Sequence, residues 1–130
     1  ENLILNMSRN NINISSSNIL ILGITYKENC PDTRNTKVLK LIQELNNYHI
    51  NINVFDPFIK SKSQLHNVDV DFNLLRSIKN EEKFSVVICA VAHKNILEMN
   101  NNEWQALLKP NGLFFDLKGI IPRELNPIRI

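Results

Sequence analysis

Lys27 and Arg34 share one polar loop, Thr25 to Asn35, which also holds Pro31 and follows an apolar run. Two cations on such a loop can hold phosphate or hydroxyl oxygens through fixed charge and directed donors. From spacing alone the preferred reading is that both are solvated charges, paired with Glu28 and Asp32. Cys30 stands close to Lys27 and near a helix start, two features that lower a thiol pKa and favour a nucleophile. His93 and Lys94 follow a second apolar run, where an imidazole can act as base or donor. The preferred reading of His93 is a helix-start residue hydrogen-bonded to backbone, because no carboxylate or second ligand is recognisably placed beside it. Asp56, before Pro57, reads mainly as a strand stop. A carboxylate there binds ribose in a conventional dinucleotide domain, but that role depends on a glycine fingerprint. The fingerprint is missing, since the first loop holds Gly23 alone.

The remaining reactive side chains read as structural. Cys89 lies inside an apolar strand and is a small core residue. His49 and His66 fall in connections and read as solvated, and Lys60 and Lys62 form an exposed pair. Trp104 on an apolar helical face reads as core or a domain contact. No His or Cys pair has metal-ligand spacing, so no metal site is expected.

The elements that must position these groups follow from periodicity. Leu3, Ile4 and Met7 give Glu1 to Asn10 a helical spacing, and Asn11 to Asn18 is a polar connector. A helix that ends in a connector is an odd start for an independent domain, so residues 1–17 are expected to be the end of an interdomain helix and its linker. Residues 18–130 are then the domain itself. Ile19 to Ile24 is a short continuous apolar run, the mark of a strand buried on both faces of a parallel sheet. Val38, Leu39, Leu41, Ile42 and Leu45 form a stripe, making Thr36 to about Asn47 an amphipathic helix. Ile50 to Phe55 is a second strand, Phe72 to Lys79 a short helix, and Phe84 to Val91 a third strand. One or two short helices are expected from Asn95 to Leu108. Asn111-Gly112 is a turn leading into the strand Leu113 to Asp116. This alternation predicts an α/β fold: a doubly wound, mostly parallel Rossmann-like sheet with helices on both faces, in a single domain. Ligands of such sheets bind beyond the carboxyl ends of the strands. Thr25 to Arg34, Asp56 to Phe58, Ala92 to Lys94 and Asp116 to Gly119 are therefore the segments to watch.

Composition narrows the function. The 130 residues, 43% hydrophobic and 22% charged, suffice for one globular domain with a true core. A formal charge of +2 is too small for a nucleic-acid binder. No apolar run has the length of a membrane helix and no signal peptide opens the chain. The two cysteines are read as free thiols in a reducing cytoplasm. A phosphorelay receiver is disfavoured, because Gly23-Ile24-Thr25 lacks the acidic pair that such a domain carries after its first strand.

The loop Gly23-Ile24-Thr25-Tyr26-Lys27-Glu28-Asn29-Cys30-Pro31-Asp32-Thr33-Arg34, followed by an amphipathic helix and Val54-Phe55-Asp56-Pro57, resembles the C-terminal domain of the UDP-glucose/GDP-mannose dehydrogenase family. That family's loop has the form Gly-x-x-[Phe/Tyr]-Lys-x-x-x-x-Asp-x-Arg, and every fixed position is filled. Phe115-Asp116-Leu117-Lys118-Gly119 resembles a second family segment, Phe-Asp-x-[Arg/Lys]. The resemblance covers about residues 18–125. The wording around the fixed positions is closest to the branch acting on UDP-N-acetylhexosamines in surface-polysaccharide synthesis.

The resemblance implies an enzyme that oxidises the C6 hydroxyl of a nucleotide-sugar to a carboxylate with two molecules of NAD. It implies that Tyr26, Lys27 and Lys118 contact the UDP-sugar and that Arg34 reaches toward NAD. No catalytic residue is implied within the chain. The family's nucleophilic Cys lies in a Gly-Gly-x-Cys segment of a central helical domain, which makes Cys30 a bystander. NAD would be held mainly by a separate N-terminal domain, and the intact enzyme would be a homodimer joined through central helices. The domain alone would bind nucleotide and help close the cleft without catalysing. A non-catalytic nucleotide-sensing or interaction module, and a UDP-glucose 6-dehydrogenase, are the alternatives.

Overall fold

The computed structural model describes residues 2–25, 29, 36–65, 70–78 and 82–129. Helix α1 (Asn2–Arg9) buries Leu3 and Met7, one turn apart, and leaves Leu5 exposed. It ends where Asn11 takes a left-handed φ of 59°. The N–H groups of Asn11 and Ile12 then close back onto the carbonyls of Ser8 and Met7, the Schellman arrangement that satisfies a helix's last acceptors. Strand β1 (Asn18–Leu22) follows, with Ile19 to Leu22 wholly buried. Helix α2 (Thr36–Asn46) lays Val38, Ile42 and Leu45 on the sheet. Next come β2 (Asn51–Phe55), β3 (Asn73–Leu74), β4 (Phe84–Cys89), α3 (Lys94–Leu97), α4 (Asn101–Gln105), β5 (Leu108–Asp116) and β6 (Ile128–Arg129).

Among the described residues the sheet has six strands, all parallel, in the order β3-β2-β1-β4-β5-β6. Its centre is in register from β2 to β5, with Val54 beside Ile21, Ile21 beside Ile88 and Ile88 beside Phe115. Alternate side chains of β1 part to opposite faces. Ile19 and Ile21 join the core under α1 and α2, whereas Leu20 and Leu22 join the core with Ile96 of α3 and Trp104 of α4. Trp104 meets Phe114 edge-on at 5.8 Å. The doubly wound sheet with helices on both faces is thus observed. The chain reverses between β1 and β4, and the crevice there is the usual ligand site of this architecture.

Two local expectations are corrected. Residues 72–78 form no helix; Asn73 and Leu74 extend the sheet, and the N–H of Leu75 donates to the Val54 carbonyl. Leu74 packs on one face and Leu75 on the other. The cause is the open edge of β2, whose backbone groups find partners there. Asn111-Gly112 does not precede the last strand but lies within β5 as a bulge. Pairing with β4 jumps from Phe84–Leu108 to Val86–Leu113, with Asn111 at φ 66°. A Cβ on Gly112 would sit 2.9 Å from the Lys109 carbonyl oxygen.

Candidate functional site

Among the described residues, two buried carboxylates gather the chain at the carboxyl edge. Asp56 follows β2 and is 1% exposed. Its Oδ2 accepts the N–H of Ile24 (2.8 Å), the N–H of Thr25 (3.0 Å) and the Thr25 hydroxyl (3.0 Å). Its Oδ1 accepts the N–H of Phe58 (2.9 Å). Nε2 of His93, wholly buried after β4, lies 3.0 Å from the same Oδ2 and 2.7 Å from the Thr25 hydroxyl. Burial pushes the Asp56 carboxyl pKa up, but the hydrogen bonds from His93, Ile24, Phe58 and Thr25 outweigh it and leave the group below its ordinary 3.8.

The tautomer of His93 follows from its other nitrogen. Nδ1 accepts the backbone N–H of Asn29 at 2.9 Å, so it carries no proton, and the proton of the neutral ring sits on Nε2, facing Asp56. Asn29 in turn accepts the N–H of Lys94 on its Oδ1 at 2.9 Å. The Phe58 ring covers the imidazole at 5.0 Å between centroids. His93 does start α3 and does bond to backbone, as its position in the sequence predicts. The expectation that no carboxylate stands beside it is wrong, and Asp56 is more than a strand stop.

Gly23 makes this convergence possible. Its φ is 98°, and a Cβ would lie 2.4 Å from Cβ of Val91, so the chain leaving β1 can pass β4 only as glycine.

Asp116, 1% exposed, organises the last segment. Oδ1 accepts the N–H groups of Lys118 (3.2 Å) and Gly119 (2.8 Å), and Oδ2 accepts those of Ile121 (2.9 Å) and the Arg129 guanidinium (3.3 Å). Arg129 also donates to the Ile121 carbonyl at 2.6 Å. Lys118 therefore projects from a pinned turn, exposed, beyond the end of β5. Tyr26, Lys27 and Arg34, like Cys30, lie outside the described residues. Cys89 is buried, and its thiol is pushed up to about 12 by burial and by the Asp116 charge, with Lys118 opposing. It is no nucleophile.

The sequence reasoning missed Thr25, Asn29, Asp56 and His93 as one unit. The signal was their common place after β1, β2 and β4, strands that are neighbours in the sheet although Asp56 and His93 are far apart in the chain. The described residues do not make an NAD site by themselves. The glycine fingerprint is missing, and the Asp56 carboxylate, which would hold a ribose, is 1% exposed and spends Oδ2 on Ile24 and Thr25. Among the described residues no cluster of His, Cys, Asp or Glu could hold a metal, and no helix is long and apolar enough to cross a membrane. An open cleft of about 460 Å³ lies at the opposite, amino end of the sheet, lined in part by Lys83, Lys109 and Glu124. It shares no residue with the carboxyl edge.

A fully parallel sheet in this strand order, with helices on both faces, defines a doubly wound α/β domain of the Rossmann-like class. The profile of the UDP-glucose/GDP-mannose dehydrogenase family, UDP binding domain, matches residues 20–123. The chain belongs to that family. It is 31% identical to a UDP-N-acetyl-D-glucosamine 6-dehydrogenase of Salmonella typhi, over 100% of this chain and 30% of that protein. It is 36% identical to Protein CapL of Staphylococcus aureus, over 96% of this chain and 29% of that protein. The structure of a UDP-D-ManNAc dehydrogenase from Pyrococcus horikoshii superposes with a TM-score of 0.75 at 22% identity, covering 98% of this chain and 28% of that one. That likeness shows the fold. The chain spans about 30% of the length of the curated relatives it matches.

Proposed function

We propose that this chain is the UDP-sugar-binding part of an NAD-dependent UDP-sugar 6-dehydrogenase whose substrate is a UDP-N-acetylhexosamine. The match of the family's UDP binding domain across residues 20–123 carries this reading. The names of the relatives from Salmonella typhi and Pseudomonas aeruginosa, both UDP-N-acetyl-D-glucosamine 6-dehydrogenases, support the hexosamine branch; a role in surface-polysaccharide synthesis belongs to the same reading. In this reading Tyr26, Lys27 and Lys118 hold the nucleotide-sugar and Arg34 reaches toward NAD. Lysine suits the task because a compact ammonium supplies charge and three donors to phosphate oxygens. Residues 1–17 would lead in from a central helical domain and residues 18–130 would form the C-terminal domain. NAD and the catalytic thiol would be supplied by the other domains of a cytoplasmic homodimer. This part contributes ground-state binding and closure of the cleft.

Steady-state kinetics of the full-length protein test the assignment. Lys118→Ala and Lys27→Ala each remove a charge-assisted contact of about 1.5–3 kcal/mol. They are expected to raise KM for the UDP-sugar by roughly ten- to a hundredfold with little change in kcat. Unchanged kinetics in both variants would sink it.

A further inference from the structure

The Asp56–His93 pair touches the first loop at two points. Thr25 is tied through its N–H and hydroxyl to Asp56 Oδ2, each at 3.0 Å. Asn29 is tied through its N–H to His93 Nδ1 at 2.9 Å, and through its Oδ1 to the Lys94 N–H at 2.9 Å. Thr25 and Asn29 bracket Tyr26, Lys27 and Glu28 in the sequence.

We propose that Asp56, His93 and Asn29 are positioning residues for nucleotide-sugar binding, a hydrogen-bonded chain from the buried end of β2 through His93 to the exposed loop. The inference rests on the proposed function above. Each link fixes the next. The Asp56 carboxylate accepts, which holds the proton on Nε2. Nδ1 is thereby left as an acceptor, and it takes the Asn29 N–H. The same logic operates where a carboxylate orients a ligating histidine, with the outer partner setting tautomer and ring direction. Asn29 has a left-handed φ of 55°, a conformation that asparagine tolerates better than most residues. Anchoring both ends of a binding segment before the ligand arrives removes part of the ordering cost of binding, and that saving appears as affinity.

Two substitutions at His93 separate positioning from stability. In His93→Asn the side-chain oxygen can take the place of Nδ1 and accept the Asn29 N–H, but position 93 no longer donates to Asp56. In His93→Gln the amide nitrogen can take the place of Nε2 and donate to Asp56, but the Asn29 N–H loses its acceptor. In the full-length protein, His93→Gln is expected to raise KM for the UDP-sugar about tenfold, one lost hydrogen bond's worth, with kcat kept. His93→Asn is expected to melt at the lower temperature yet hold KM near the wild-type value. Hydrogen exchange at the Asn29 amide should be fast in His93→Gln and slow in His93→Asn. A purely structural role would make KM follow the melting temperature, and that result overturns the inference.

Asn29→Gly, at an exposed position, keeps the fold testable if either buried variant does not fold. Among the described residues it removes the link to Lys94 and keeps the backbone bond to His93, and it should raise KM severalfold without lowering the melting temperature. No change in KM overturns the inference as well. A wild-type protein that binds no UDP overturns the proposed function and the inference with it. UDP binding together with unmoved KM values in the variants overturns the inference alone.

Discussion

Asp56 gathers four donors besides the Thr25 hydroxyl at a site closed to water, and among the described residues no buried side-chain polar atom lacks a partner. Its hydrogen bonds make the charged form the stable one, so its folded pKa lies below the ordinary 3.8. Between the two values the unfolded chain binds a proton that the folded chain does not. The stability Asp56 contributes is therefore complete above about 3.8 and is lost as pH falls through the lower folded value. Asp56→Asn keeps the shape but turns an amide toward donors, and it should cost about 1–3 kcal/mol near neutrality, the penalty of leaving buried donors without an acceptor. In urea unfolding of the chain, the gap between wild type and this variant should be widest near neutral pH. It should narrow below about pH 3.8. A gap independent of pH would contradict this account of Asp56. The residues of this network were visible in the sequence one at a time. Their meeting was not, because contact between Asp56 and His93 depends on β2 and β4 flanking β1, and a list of strands carries no spatial order.

The elements read from local pattern are those whose neighbours impose nothing contrary. The unbroken run Ile19 to Leu22 needs two covered faces, and the stripe Val38, Ile42, Leu45 needs one. Both patterns survive packing unchanged. The spacing of Leu74, Leu75 and Ile78 predicts a helix, and the open edge of β2 makes Asn73–Leu74 a strand instead. Asn111-Gly112 carried a true signal of left-handed backbone, but the bulge it makes depends on pairing with β4. The junction of β1 with the site loop is the least tolerant point. Gly23→Ala adds a Cβ 2.4 Å from that of Val91 at a positive φ. It should destabilise the chain by about 2–5 kcal/mol from strain and overpacking together. The expected readout is a lower urea midpoint at an unchanged denaturant slope. An unchanged midpoint would mean that the passage between β1 and β4 can widen.

At the scale of the whole molecule, a rigid sheet presents its loops along one edge. Two buried carboxylates on either side of the central strands hold those loops in place. Asp56 ties down Thr25 and, through His93, Asn29; Asp116 pins the turn that carries Lys118. The family was legible because every fixed position of its loop, from Gly23 to Arg34, is filled in the sequence. The finer substrate choice was less so, because the relatives are about three times longer than this chain, with only about 30% of each matched. The central claim is that a uridine diphosphate site lies on the carboxyl edge and includes Lys118. Titration calorimetry of the full-length protein with UDP, at low salt, wild type against Lys118→Ala, tests it most directly. The account predicts saturable binding by the wild type and affinity at least about tenfold weaker in the variant, as loss of one charge-assisted phosphate contact requires. Equal affinity in the two proteins, or no UDP binding by the wild type, would contradict it.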